Sequence, residues 1–203
     1  RRVVDQRRSS PLELLREFDH IFVGLRDAAD AIAEATGRPC TYVPGGVDAL
    51  RFCPYPSSVP RAIDVCNIGR RSEVTHQRLL ERANRGDFFY YYDTSQVSFK
   101  NGSSISFSVG NPREHRLWLA ALLKRSRYLL ASRAYADRPA FTQGQEEIPG
   151  RFYEGAAAGT IMLGDPPRCE EFAEKFGWPG AIIPMPYDAP NVLEIIDELD
   201  RDP

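Results

Sequence analysis

The sequence predicts an α/β protein in which a Rossmann-like parallel sheet carries helices on both faces. Three observations support this fold class. Short apolar runs alternate with amphipathic stretches along most of the 203 residues. Most successive apolar runs are separated by helix-length segments, which a parallel connection requires and a hairpin does not. Several of the amphipathic stretches also begin with residues that favour a helix N-terminus.

The predicted strands are short and mostly apolar. They cover residues 20–24, 41–43, 61–68, 88–92, 128–130, 160–164 and 181–183. The five consecutive aromatic residues at 88–92 predict a central strand with both faces buried. Parallel sheets bind ligands at the carboxyl ends of their strands, so we expect the functional residues in the loops 69–72, 131–150 and 164–167.

The predicted helices have identifiable ends. Asp27 is expected to cap a helix that Gly37 terminates, and Ser72 is expected to start the next long helix. Asn111 precedes a proline and an acid in the first turn, a strong start signal. Further helices are expected around residues 12–18, 152–158, 170–176 and 192–199.

Composition narrows the class of protein. The chain is 42% hydrophobic and 27% charged, and its formal net charge of −2 gives no positive field, so nucleic acid is not an expected partner. No apolar run approaches the roughly 20 residues needed to cross a bilayer. The four cysteines form no C-x-x-C pair and stand apart from the three histidines, so we expect reduced thiols in a cytoplasmic protein and no metal site.

The first candidate site follows the strand predicted at 61–68. Gly69 permits a tight turn, and Arg70 and Arg71 come directly before the helix that Ser72 starts. A helix N-terminus with an adjacent arginine is suited to bind phosphate, because it combines free N–H groups with a bidentate cation. The alternative is a surface turn with two solvated arginines.

The second candidate site contains Glu146 and Glu154, which are separated by seven residues. Small residues from Gly155 to Gly159 allow the helix to pack closely against a neighbouring helix or a ligand. A carboxylate such as Glu154 accepts two hydroxyl donors, as a ribose diol would supply. The alternative is a surface acid on an alanine-rich helix.

Three segments resemble retaining group 1 glycosyltransferases of the GT-B fold. GQEEIPGRFYEGAAAGTIMLGDPP is similar to that family's element of two glutamates separated by seven residues. YVPGGVDALRFCP is similar to its interdomain segment, and IDVCNIGRRS to the loop that opens its donor domain. Together the segments extend from Tyr42 to Pro167, about two thirds of the chain, in the family's order.

The resemblance implies roles for individual residues. Glu146 corresponds to a catalytic glutamate near the donor sugar, and Arg70 to an arginine that contacts the diphosphate. Glu154 corresponds to the glutamate that binds the nucleotide ribose. The remaining residues expected to bind the nucleotide are Gly69, Arg71, Gly155, Ala156, Gly159 and Thr160.

The sequence also departs from the family pattern. The lysine usual after the arginine is absent, and only Arg71 or His76 could replace it. The acidic pair Glu146 and Glu147 allows the glutamate alignment to shift by one residue. These differences resemble a looser branch, similar to the spore-maturation glycosyltransferase-like proteins.

The resemblance implies the C-terminal half of a GT-B fold. Residues 1–53 would be the end of an N-terminal acceptor domain and the crossover, and residues 54–203 the nucleotide-sugar-binding domain. The chain begins without an initiator methionine and runs directly into a helical pattern, so we expect an upstream acceptor domain in the full-length protein. A domain without that partner is expected to bind donor but transfer sugar poorly.

The expected function is transfer of a sugar from a nucleoside-diphosphate sugar to an acceptor, which could be a glycan, a lipid or a small molecule. The resemblance implies a retaining outcome at the anomeric carbon. No cofactor or metal is expected, because Arg70 and helix N-termini would stabilise the departing diphosphate. Two alternatives remain: a nucleotide-sugar-binding or degenerate transferase domain without catalysis, and a nucleoside-diphosphate-sugar epimerase.

Overall fold

The structure is a computed structural model that describes residues 11–57, 59–93, 98–100, 104–106, 110–142, 144 and 146–201. Its strands are β1 (Ile21–Val23), β2 (Cys40–Tyr42), β3 (Ile63–Asn67), β4 (Tyr90–Tyr92), β5 (Ser98–Lys100), β6 (Ser104–Ser106), β7 (Ser126–Leu130), β8 (Ile161–Gly164) and β9 (Ile183–Pro184). Its α-helices are α1 (Pro11–Leu15), α2 (Ala29–Thr36), α3 (Ala49–Phe52), α4 (Glu73–Ala83), α5 (Pro112–Lys124), α6 (Gly150–Ala158), α7 (Glu170–Phe176) and α8 (Val192–Arg201). Short 3-10 helices cover Arg26–Ala28 and Pro139–Thr142.

The main sheet has five parallel strands in the order β4-β3-β7-β8-β9. The chain leaves β3 toward β4 on one side and then returns to add β7, β8 and β9 on the other side. The strand order therefore reverses between β3 and β7. In open α/β sheets this reversal opens a crevice at the carboxyl ends of the two strands.

Helices cover both faces of this sheet, as the sequence predicts. Alternate residues of each strand face opposite sides, so Val65 of β3 joins one core and Cys66 the other. One core lies under α3, α5, α6 and α7, and includes Leu119, Leu129 and Phe152. The other lies under α4 and α8, and includes Leu79, Tyr128 and Ile196.

Two helix starts form as the sequence predicts. Ser72 Oγ accepts a hydrogen bond from the backbone N–H of Thr75 at 3.2 Å. Asn111 Oδ1 accepts from the N–H groups of Arg113 and Glu114, each at 3.1 Å. Both caps satisfy amide groups that a helix leaves unpaired at its first turn. The direction of α4 away from the β3 turn is thereby fixed locally.

Other details differ from the sequence prediction. The aromatic strand is β4, which lies at an edge of the five-stranded sheet and not at its centre. Its aromatic residues are still partly covered, because α4 packs over Tyr90 and Trp118 packs edge-on against Tyr91. Asp27 lies within a 3-10 helix, and Ala28 stands at the α2 N-terminus without a side-chain cap. Helix α3 and the antiparallel β5–β6 pair have no counterpart among the elements predicted from the sequence.

The segment before residue 53 forms a second, two-stranded parallel sheet from β1 and β2. It contacts the main unit through an ion pair in which Arg26 Nη2 lies 3.0 Å from Glu174 Oε2 of α7. Phe52, at the end of this segment, is fully buried in the core under α5 and α6. In the described part of the chain, no helix is long and apolar enough to span a bilayer.

Candidate functional site

A cavity of about 320 Å³ opens where the strand order reverses. Its walls come from the loops that follow β3 and β7, from the first turns of α4 and α6, and from the loop after β9. The residues that line it include Asn67, Arg70, Ser72, Thr75, Ser132, Arg133, Tyr135, Asp137, Glu147, Pro149, Arg151, Met185 and Tyr187. The volume lies within the range of natural small-molecule sites.

The turn after β3 is braced from the side away from the cavity. Gly69 adopts a left-handed φ of 98°, and its N–H lies 3.2 Å from both carboxylate oxygens of Asp93. Arg71 Nη1 donates to the same carboxylate at 3.0 Å. Asp93 therefore holds the Gly69 turn and Arg71 together. Arg71 does not line the cavity; it serves the turn.

Arg70 has a different environment. Its guanidinium carbon lies 3.8 Å from the centre of the Tyr135 ring, and its nearest acidic atom, Asp137 Oδ1, is 4.0 Å away. Within the described residues, its N–H groups make no hydrogen bond to another side chain or to the backbone. Tyr135 itself adopts a left-handed φ of 54°, which is costly for a residue with a side chain. The backbone of the loop after β7 is therefore strained at Tyr135, the residue whose ring packs against Arg70.

The start of α4 is tied to the loop after β9. Ser72 Oγ donates to Asp188 Oδ1 at 2.5 Å, and Thr75 Oγ1 donates to the carbonyl of Tyr187 at 2.9 Å. The backbone N–H of Ala189 in turn donates to Thr75 Oγ1 at 2.9 Å. Burial raises the pKa of the Tyr187 phenol to about 12, above its ordinary value of 10. These bonds fix one wall of the cavity before any ligand arrives.

Glu146 does not line this cavity. Its Oε1 accepts from Arg133 Nη1 at 2.9 Å, and its other oxygen accepts from the backbone N–H of Arg168. Arg133 Nε also donates to Asp165 Oδ2 at 2.8 Å, and this hydrogen bond raises the pKa of the Arg133 guanidinium. Glu146 instead faces a separate hollow beside Arg168 and the 3-10 helix near Arg26.

Glu147, the alternative in the shifted alignment, does line the cavity. Its side chain is exposed, and it forms no hydrogen bond or ion pair within the described residues. One carboxylate without a partner in the described residues therefore lines the cavity together with three arginines. Such a group can accept hydrogen bonds from hydroxyls of a bound molecule.

Glu154 lies in the second position of the glutamate pair and is buried, with 6% of its side chain exposed. Arg116 Nη1 of α5 donates to its Oε1, and Arg151 Nη1 donates to its Oε2. Arg151 lines the cavity, whereas Glu154 does not. Sequence reasoning missed both arginines. Arg151 stands within the quoted glutamate segment, but no local pattern indicates that Arg116 would meet Glu154 from 38 residues away.

The small residues of α6 serve packing. A side chain at Gly155 would place Cβ 2.7 Å from both Leu129 Cδ2 and Met162 Sδ, so the helix needs glycine to lie this close to β7 and β8. Gly159 ends the helix with a left-handed φ of 64°. The structure puts Gly155, Gly159, Thr160 and the exposed Ala156 outside the cavity lining.

A buried hydrogen-bond chain reaches the cavity from α4. Asn67 Nδ2 donates to the Tyr90 hydroxyl at 2.9 Å, and that hydroxyl lies 2.9 Å from His76 Nδ1. A phenol oxygen can accept two hydrogen bonds or donate its own proton, so the direction of the second bond depends on the imidazole tautomer. Burial and then the charge of Arg71 lower the pKa of His76, which favours the neutral imidazole.

The cavity therefore combines three arginines, two carboxylates and several hydroxyls. Arg133 and Arg151 donate hydrogen bonds to acids outside the cavity lining, whereas Arg70 has only a 4.0 Å ion pair with Asp137 and its contact with the Tyr135 ring. The N-termini of α4 and α6 both contribute to its walls and favour negative charge. The arrangement suits an anionic ligand with hydroxyl groups. No cluster of histidine, cysteine and acidic side chains that could hold a metal ion occurs in the described ranges.

Compared with known proteins, the chain matches no family model and no curated protein sequence.

Proposed function

We propose that the chain is the donor-binding domain of a glycosyltransferase that uses a nucleoside-diphosphate sugar. The single observation that carries the proposal is Arg70, whose guanidinium makes no hydrogen bond within the described residues and lines a cavity at the carboxyl ends of a parallel sheet, where the strand order reverses. Anionic nucleotides bind at this position in open α/β sheets. The three segments that resemble the GT-B family favour a sugar nucleotide over other phosphate ligands.

In the proposed reaction, the bond between the sugar anomeric carbon and the diphosphate oxygen breaks. A bond from the same carbon to an acceptor oxygen forms, and the acceptor proton passes to the departing diphosphate or to water. Arg70 and the α4 N-terminus would stabilise the negative charge that develops on the departing diphosphate, the role that a metal ion takes in other enzymes. Glu147 is the carboxylate available to accept hydrogen bonds from sugar hydroxyls.

A binding domain without catalysis is the second candidate, and one observation favours it. Glu146, the glutamate that the resemblance assigns to the donor sugar, is paired with Arg133 and faces away from the cavity. A glutamate that is held in an ion pair outside the cavity cannot act on the sugar, so the domain would bind donor without promoting transfer.

The proposal is tested by calorimetry with uridine, guanosine, adenosine and thymidine diphosphates, their glucose conjugates, and the matching bare nucleosides. We expect one diphosphate series to bind, and its bare nucleoside to bind much more weakly. A ligand at 100 times its dissociation constant should add about 2.7 kcal/mol to the free energy of unfolding, which thermal denaturation can measure independently.

Product analysis separates the two candidates. A donor that binds and yields free nucleoside diphosphate plus transferred or hydrolysed sugar supports the transferase, and binding without sugar release supports the binding domain. Sugar that changes stereochemistry while still attached to the nucleotide would indicate an epimerase. Absence of binding by every diphosphate in the series would refute the proposal.

A further inference from the structure

We infer that Glu154 is a positioning residue, which holds Arg151 in place as a second arginine that binds the phosphate groups of the ligand. The inference deepens the proposed function and rests on it for the identity of that ligand. It differs from the ribose contact that the sequence resemblance implies for Glu154. The distinction concerns which atoms a bound molecule can reach.

A ligand in the cavity can reach Arg151 more easily than Glu154. Glu154 exposes 6% of its side chain, and each of its carboxylate oxygens already accepts from a different guanidinium. Arg151 exposes 23% of its side chain and lines the cavity. A ligand in the cavity therefore meets Arg151 first and would have to displace it to reach the carboxylate.

Two hydrogen bonds orient the guanidinium of Arg151. Arg151 Nη1 donates to Glu154, and Arg151 Nε lies 3.4 Å from the carbonyl oxygen of Ile68, directly before the Gly69 turn. The Nη2 group makes no hydrogen bond within the described residues. Because a guanidinium is planar, fixing Nη1 and Nε also fixes the direction of Nη2. Glu154 thereby sets the direction of the free donors, beside the same turn that carries Arg70.

A second guanidinium also holds Glu154. Arg116 on α5 donates to the other carboxylate oxygen, and its guanidinium lies 5.1 Å from the centre of the Phe52 ring. Arg116 exposes 40% of its side chain and does not line the cavity. Arg116 therefore helps to keep Glu154 in place without contacting a molecule bound in the cavity.

The test uses inorganic pyrophosphate as the probe, because it has phosphate oxygens but no ribose. Calorimetry compares the wild-type chain with Arg151→Ala, Glu154→Gln, the double variant and the control Arg85→Ala, which removes an exposed arginine outside the cavity lining. Arg151→Ala should weaken pyrophosphate binding about tenfold or more, since it removes a charged hydrogen-bond donor. Glu154→Gln should weaken it about three- to tenfold, because an amide offers one acceptor oxygen to two guanidinium groups.

The sign of the Glu154→Gln effect separates positioning from simple charge. Removing a negative charge near the cavity should by itself strengthen anion binding, so a stronger or unchanged pyrophosphate affinity would overturn the inference. The double variant should bind pyrophosphate no more weakly than Arg151→Ala alone, because Glu154 acts through Arg151. Losses that multiply would contradict it. Arg85→Ala should change the affinity less than twofold.

Two further arms keep the result interpretable. Circular dichroism will show whether Glu154→Gln folds. Arg151→Lys gives a result that does not depend on that variant. It retains the charge without the planar guanidinium, so it should lose part of the pyrophosphate affinity. A ribose contact predicts instead that Glu154→Gln weakens binding of the bare nucleoside and spares pyrophosphate. If the wild-type chain binds pyrophosphate through Arg151 but no nucleotide sugar, the proposed function fails and the positioning role stands. If it binds nucleotide sugar but not pyrophosphate, the positioning role fails alone.

Discussion

The guanidinium of Arg70 lies 3.8 Å from the centre of the Tyr135 ring, and Tyr135 adopts a left-handed backbone conformation with φ of 54°. The two residues come from loops after neighbouring strands, β3 and β7. A residue in this conformation persists only where surrounding contacts hold it. The pairing therefore places a strained loop and an arginine that makes no hydrogen bond within the described residues at the same cavity wall.

Removal of the Tyr135 ring should weaken the binding of anions. We expect Tyr135→Ala to raise the dissociation constant for nucleoside diphosphate about two- to fivefold, since a partly exposed cation–π contact is worth roughly 0.5–1 kcal/mol. Tyr135→Phe keeps the ring and should bind as the wild type does. Calorimetry measures both variants, and equal affinity for Tyr135→Ala would show that the stack does not orient Arg70.

Arg70→Ala should affect the diphosphate part of the ligand selectively. We expect the affinity for nucleoside diphosphate to fall about tenfold or more, with little change for the bare nucleoside. Arg70→Lys should restore only part, because a single ammonium lacks the bidentate fork. The matched control is Arg85→Ala, which removes an exposed arginine beyond the other end of α4. Equal losses for diphosphate and nucleoside would argue against the assignment.

Gly155→Ala should destabilise the fold. The added methyl group would lie 2.7 Å from Leu129 Cδ2 and from Met162 Sδ, closer than packed atoms allow. We expect a loss of about 1–3 kcal/mol in the free energy of unfolding, as for other overpacked sites. Gly46→Ala makes the same chemical change in open space and serves as the control. Urea denaturation measures both, and equal stability of the two variants would contradict the close packing of α6.

Acid should destabilise the protein through His76. Burial lowers the pKa of this imidazole in the folded state, so below its ordinary value of 6.5 the unfolded chain takes up the proton more readily. Stability contributed by the neutral form is therefore lost as the pH falls through that value. The charged groups that act on this histidine are Arg71, which lowers its pKa, and Glu73, which raises it.

The measurement for His76 is the free energy of unfolding between about pH 7.5 and 5.5. The wild-type chain should lose stability over this interval more steeply than His76→Gln, which cannot take up the proton. Parallel pH profiles for the two proteins would show that His76 does not drive the acid sensitivity.

Much of the fold follows from local sequence. The caps at Ser72 and Asn111, the buried strand before Gly69 and the alternation of strands with helices predict a parallel sheet covered on both faces, and the structure confirms it. These features depend on residues within a few positions of each other, so pattern rules can detect them. The prediction that the aromatic strand is central was wrong. Helices α4 and α5 cover the rings of β4, so this edge strand has the aromatic composition that is typical of a central strand.

By itself, the sequence determined the α/β class and the loops that could form a site. Only the tertiary structure decided that Arg70 lines the cavity while Arg71 holds a turn, and that Glu147 lines it while Glu146 pairs with Arg133. Neighbouring residues of the same chemistry are separated only by the direction of their side chains. That direction depends on partners that are distant in the chain, such as Arg116 for Glu154. A rule based on neighbouring residues cannot predict such partners.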